Sequence, residues 1–124
     1  MTKEAKELLL KDLCARLTSY TGVLVDYIDE SNVNEVLNVY HIIGLKHYTG
    51  DDGLINIKPY LRPMSDMTEE EKRRYNNYKY WIEKGDIEHC TINMVDWLIA
   101  HYFDYRGLIP IGLALEAPKD MYSI

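Results

Sequence analysis

The feature that most constrains this chain is a change of hydrophobic period at Thr21-Gly22, reversed after Pro59. Upstream, Ala5, Leu9, Leu13 and Leu17 recur every four residues, and Leu8, Leu10 and Cys14 widen the stripe. Lys3, Lys6, Lys11 and Arg16 lie mostly elsewhere, so the spacing predicts an amphipathic helix over 2–17 in which Cys14 acts as a small hydrophobe. From Val23 the period becomes two: VLVDYI, EVLNVYHII (Glu35 to Ile43) and LINIK read as three strands, separated by the polar DESN and TGDDG turns. EVLNVYHII carries apolar residues on both faces, which suits a central or doubly covered strand. Helix, then short-turned antiparallel strands over 23–58, then helices again, is the order of an α+β domain.

Pro59 is expected to stop the third strand, and Pro59 and Pro63 to hold Tyr60-Leu61-Arg62 in an extended elbow. Thr68 with Glu71 forms a capping-box signature, and three glutamates occupy the first turn, so a helix is predicted over 69–84 with Gly85 beyond its end. Tyr75, Tyr78 and Ile82 share one face of it, which is expected to pack on the sheet. Val95, Leu98, Ile99, Tyr102 and Phe103 define a second helix over 93–106, capped by Asn93 and stopped by Gly107. The tail, 107–124, is apolar in its first half but broken by Pro110, Gly112 and Pro118. It is expected to bury Leu108, Ile109, Ile111, Leu113 and Leu115 against its own domain or, through 108–118, against a second copy.

The resulting expectation is one α+β domain over 1–124: a small antiparallel sheet of three to four strands, open or curled into a half-barrel, with three helices. A chain of this size buries roughly two-thirds of its unfolded surface, enough for a core without metal or disulfide staples. Its 47% apolar and 27% charged residues fit a folded domain. The net charge of −6 disfavours nucleic acid, because displacing phosphate counterions needs a positive patch. Lys72-Arg73-Arg74 follows Glu69-Glu70-Glu71 and reads as a self-neutralised helical face. No apolar run approaches the ~18 residues of a membrane span. No leader pattern opens the sequence, and two cysteines without CxxC spacing suit a reducing compartment, so the expected location is cytoplasmic.

A search for chemistry yields little. His41, His47, His89 and His101 lack a zinc-ligand spacing, even with Cys90 beside His89, so no metal or other cofactor is expected. No nucleophile motif, phosphate loop or singled-out carboxylate pair appears, which gives no ground for assigning catalysis. What stands out is tyrosine: 11, against two tryptophans and one phenylalanine. Tyrosine serves half-wet cores and binding surfaces alike. Two arginine–aromatic clusters, Tyr60 with Arg62 and Tyr105 with Arg106, are the candidate binding residues. The structural explanation for Arg106 is the dipole at a helix end.

KPYLRPMSDMTEEEK, DWLIAHYFDYRGLIPIGLALEAPKDMY and the opening LLLKDLCARL together resemble a group of small uncharacterised proteins from gut Bacteroidales genomes and their phages. The resemblance covers the first helix and the second half of the chain, and it carries no functional residue. It implies a phage or prophage protein made in bacterial cytoplasm. The expected function is a non-enzymatic interaction protein that binds a host protein, as an accessory or counter-defence factor. The alternative is a binder of a small anionic or nucleotide-like ligand through Tyr60, Arg62, Tyr105 and Arg106. A hydrolase or transferase using scattered acidic residues is a third reading.

Overall fold

The computed structural model describes residues 2–28, 31–46 and 54–122. The TGDDG turn (49–53) and His47 lie outside the described residues, as do Asp29 and Glu30 of the first turn. The chain begins with helix α1 (Lys3–Ala15), whose first turn is closed by the Thr2 hydroxyl accepting from the Ala5 amide at 3.0 Å. Strands β1 (Gly22–Tyr27) and β2 (Asn32–Val36) follow, then helix α2 (Val39–Lys46) and strand β3 (Leu54–Leu61). After a 3-10 turn (Met64–Asp66) come α3 (Glu69–Glu83), α4 (Ile87–Ala100) and a two-residue strand β4 (Leu115–Glu116).

The sheet runs β2-β1-β3-β4 and does not close. Its three long strands are antiparallel, but β4 joins β3 in parallel, so the α+β class holds with a mixed sheet and, among the described residues, four helices where three were expected. Val23, Val25, Ile57, Pro59 and Leu61 alternate onto one face and are buried. With Leu9 and Leu13 of α1, Leu37 and Leu45 around α2, and Leu108 and Ala114 of the tail, they form an aliphatic core. A second cluster joins Met67, Trp97, Leu98 and Phe103, with Tyr75 and Tyr78 packed against it. The α3 aromatic face therefore meets α4 rather than the sheet.

The predicted strand EVLNVYHII is the main correction: β2 ends at Val36, and Val39 onward is helical. Asn38 decides the change, since its side-chain oxygen accepts from the amides of Tyr40 (2.9 Å) and His41 (3.3 Å), satisfying helix-start donors. The third strand also does not stop at Pro59. It continues to Leu61, because Pro59 is the last residue paired with β1 and β4 pairing begins only at Tyr60. There the missing amide costs no ladder bond. The predicted helix 93–106 is Ile87–Ala100 instead. Its first turn, 87–89, is exposed, so periodicity gave no sign of it. Its end is a Schellman turn, with Phe103 N bonding Leu98 O and Tyr102 N bonding Ile99 O, both at 3.0 Å. Cys14, assigned to the apolar stripe, is exposed, whereas Cys90 is buried.

Other local predictions match. The Thr68–Glu71 capping box is present, with Thr68 N donating to Glu71 at 2.9 Å and Glu71 N donating to Thr68 at 3.1 Å. Gly85 follows α3 with φ +107°, a conformation that favours glycine. The tail packs on its own domain, leaving Ile111 as its most exposed large apolar side chain at 59%.

Candidate functional site

Strand alternation sends Tyr60 and Arg62, on β3 and just after it, away from the aliphatic core on the side opposite Leu61. They nevertheless reach different places. Tyr60 lines an open groove of about 600 Å³ together with Tyr20, Gly22, Val36, Tyr102 and Tyr122. Arg62 lines a separate cleft of about 350 Å³ between α3 and α4, with Glu71, Arg74, Trp97 and His101.

The groove is assembled from distant pieces of chain. Tyr122 of the tail donates its hydroxyl to Tyr60 O at 2.7 Å and accepts from Gly22 N at 2.9 Å. A side chain at residue 22 would meet Met121 at 3.2 Å and the Tyr122 hydroxyl at 3.4 Å, so glycine lets the tail approach β1 this closely. Burial pushes the Tyr122 hydroxyl up to about 12, so the phenol stays protonated and can donate. Tyr102 stacks on Tyr122 at 3.6 Å between ring centroids and 3° between planes, and donates to Ser19 O at 2.8 Å. Tyr60 donates to Asn34 Oδ1 at 2.8 Å.

Tyr20 differs from these three. It is 80% exposed and, among the described residues, makes no hydrogen bond or ring contact. Its φ is +56°; Tyr102, at +64°, is the other described non-glycine residue with positive φ. Such a conformation costs an L-residue roughly 1–2 kcal/mol, and strain of this kind gathers at functional sites. For Tyr102 the Ser19 bond and the Tyr122 stack offset it. Tyr20 has no such return within the fold.

The arginines proposed from sequence are engaged internally. Arg62 meets Glu71 in a two-pronged pair, 2.9 Å on each prong, lies 4.2 Å over the Phe103 ring and approaches Asp66 at 3.6 Å. The guanidinium holds the Glu71 carboxyl down at about 2, helped by the Thr68 amide, and Glu71 in turn raises the affinity of Arg62 for its proton. Arg106 approaches Asp12 at 3.3 Å and donates to the Tyr105 hydroxyl at 2.9 Å. Asp12 is fully buried and also pairs with fully buried Arg16 at 2.8 Å, which itself donates to Phe103 O at 2.7 Å. Tyr105 and Arg106 thus sit against α1, and neither lines the groove or the α3–α4 cleft.

Of the four residues singled out from sequence, the structure brings only Tyr60 into the groove. Tyr20, Tyr102 and Tyr122 were missed. Tyr102 fits the helical period and was assigned to a helix face. The residual signal was the absence of glycine at the αL position after α4, legible only once the helix end is known.

The charge in the groove is sparse. Its one ionisable acid or base other than tyrosine is Glu35, which accepts from the Tyr27 hydroxyl at 2.6 Å and lies 2.8 Å from His41 Nε2. The Tyr27 hydroxyl and then His41 hold its carboxyl below the usual range. In the α3–α4 cleft Arg62 and Arg74 are balanced in sign by Glu70 and Glu71, with Arg62 paired to Glu71 and Arg74 lying over the Tyr78 and Trp97 rings. Among the described residues no group of three or more His, Cys, Asp or Glu could hold a metal ion. No helix there is long and apolar enough to cross a membrane.

The molecule is thus a small α+β protein with an aromatic, cation-free surface groove. No family model, curated protein or solved structure matches the chain.

Proposed function

We propose that this chain is a non-enzymatic interaction protein that receives a partner protein in the tyrosine groove. The carrying observation is Tyr20, exposed and held at positive φ beside three tyrosines that are locked in place. A rigid aromatic wall with one free ring suits a partner side chain, since tyrosine supplies large contact area at low entropic cost. Val36, which lines the groove, is 53% exposed, and Val39 and Tyr40, at the start of α2 shortly after it in the chain, are 50% and 77% exposed.

The resemblance noted above supplies the context: a phage or prophage protein in a bacterial cytoplasm, with a host protein as partner and an accessory or counter-defence role. A small anionic ligand draws less support, because Arg62 and Arg106 already face carboxylates and no lysine or arginine lines the groove.

The test is quantitative cross-linking of the purified protein in a gut Bacteroidales lysate, beside Tyr20→Ser. A host protein enriched by the wild type and lost by the variant, at equal thermal stability, supports the proposal. Equal enrichment by both, or a phosphate-bearing small molecule retained on native mass spectra in place of a protein, overturns it.

A further inference from the structure

Beside the groove the sheet has a free edge of specific chemistry. The amide of Leu37 donates to Thr21 O at 2.8 Å and that of Tyr27 to Ser31 O at 3.1 Å. Bonded and non-bonded pairs alternate in an antiparallel ladder. With the register Val23↔Glu35 and Val25↔Val33, it follows that Val33 and Glu35 bond to β1. Asn32, Asn34 and Val36 therefore point their N–H and C=O groups outward, and among the described residues no strand pairs with them.

The two edges of this sheet are treated differently. β4 is two residues long and is followed within two positions by Pro118, both usual protections against unwanted pairing. β2 is five residues long, without proline, lysine or a bulge, and its one charge, Glu35, is tied to Tyr27 and His41. Asn34 and Val36, whose backbones face outward, also line the tyrosine groove. An added strand would thus bond along β2 and lay side chains into the groove, the two components of recognition by strand addition.

We infer that β2 is the docking edge for an extended, non-acidic segment of a partner protein, which adds a fifth strand and seats an apolar or aromatic side chain against Tyr20. This rests on the reading of the groove as a protein-binding site. Charge decides the occupant: the chain carries −6 and neither β2 nor the groove has a lysine or arginine, so an acidic segment meets no counter-charge. A second copy would bring another −6, so two copies repel where a non-acidic segment does not.

The probe is a library of unconstrained twelve-residue peptides displayed on filamentous phage and selected on the full-length protein. Selected peptides are then measured against wild type, Asn34→Ala, Asn34→Pro and Tyr20→Ser. Both Asn34 variants lose the bond to Tyr60, but only proline removes the outward amide, and an edge strand tolerates it. The expected result is selection of non-acidic, strand-forming peptides. Asn34→Pro should bind them at least about tenfold more weakly than Asn34→Ala, which shares the loss of the Tyr60 bond; the difference is the value of a main-chain hydrogen bond plus a steric block. Amide exchange should slow at Asn32, Asn34 and Val36 on binding, a readout that does not depend on any variant folding. Weakening by Tyr20→Ser with no difference between the two Asn34 variants would overturn strand addition while leaving the groove in place. Failure to select any peptide, while the lysate test still yields a Tyr20-dependent partner, would do the same. A concentration-dependent dimer abolished by Asn34→Pro would overturn the choice of occupant.

Discussion

The two cores of this protein are built from different materials. Around α1 and the sheet, Leu9, Leu13, Val23, Val25, Ile57, Leu61 and Leu108 are all fully buried, and the ion pair of Asp12 with Arg16 set among them is equally dry. Between α3 and α4 the cluster is Met67, Trp97, Leu98 and Phe103, rimmed by half-buried tyrosines, and α3 leaves Tyr80 and Trp81 about half exposed. The first core joins segments from both ends of the chain. The second is largely an αα-hairpin, fastened to the rest through Arg62, which reaches from β3 to Glu71, Phe103 and the carbonyl of His101. The contrast suggests that aliphatic burial stabilises the one and a polar fastening the other, and it can be broken by substitution.

The largest effect is expected at Asp12. Asp12→Ala leaves Arg16 buried beside Arg106 with no carboxylate, at a cost of about 3–5 kcal/mol in urea unfolding. A loss under about 1 kcal/mol would show that water reaches this pair. Next, Leu13→Ala in the closed core should cost about 3 kcal/mol, and Met67→Ala in the rimmed one about half that, because a wetter site collapses more easily. Equal losses would erase the distinction.

Arg62 tests the fastening. Arg62→Met should cost about 2 kcal/mol, since it leaves Glu71 without its cation, with the loss seen first in amide exchange of α3. Acid should act on the same pair. The Glu71 carboxyl titrates at about 2 in the fold against an ordinary 4.5, so the unfolded chain takes up the proton first as pH falls. The stabilisation from this group is complete above 4.5 and is lost as pH drops from there towards about 2. Wild-type melting temperature should therefore fall across that window, and Arg62→Met, whose Glu71 lacks the guanidinium, should fall less steeply. Parallel slopes would assign the acid sensitivity elsewhere.

The smallest effect has the opposite sign. Tyr20→Gly relieves a positive φ at an exposed ring with no partner in the fold, and should raise stability by about 0.5 kcal/mol once glycine's extra chain entropy is set against it. Tyr102→Gly relieves a similar φ but forfeits the Ser19 bond and the Tyr122 stack, and should destabilise by about 1–2 kcal/mol. If both changes stabilise, the strain at Tyr102 is not compensated within the fold.

Legibility in the sequence followed the range of the interaction responsible. The Thr68–Glu71 box and Gly85 act within one turn of helix, and each was found at its predicted place. Asn38 is equally local, and as an N-cap it was a readable signal for α2. The β-branched and aromatic residues around it outweighed that signal, since EVLNVYHII suits a doubly covered strand and a buried helix alike. The Arg62 and Arg106 pairings join residues nine and ninety-four positions apart, and no spacing rule connects them.

The sequence by itself determined the starts of α1 and α3 to within a residue, the α+β class and the absence of any recognisable catalytic or zinc-binding motif, because periodicity and capping are properties of neighbouring residues. Tertiary structure decided where α4 ends, on which side the tail lies and which tyrosines share a groove. Tyr122 reaches Gly22 across one hundred residues, and Phe103 leaves its helix to bridge to Arg62. Those contacts form only when both partners have been placed by everything between them, so local pattern contains no record of them.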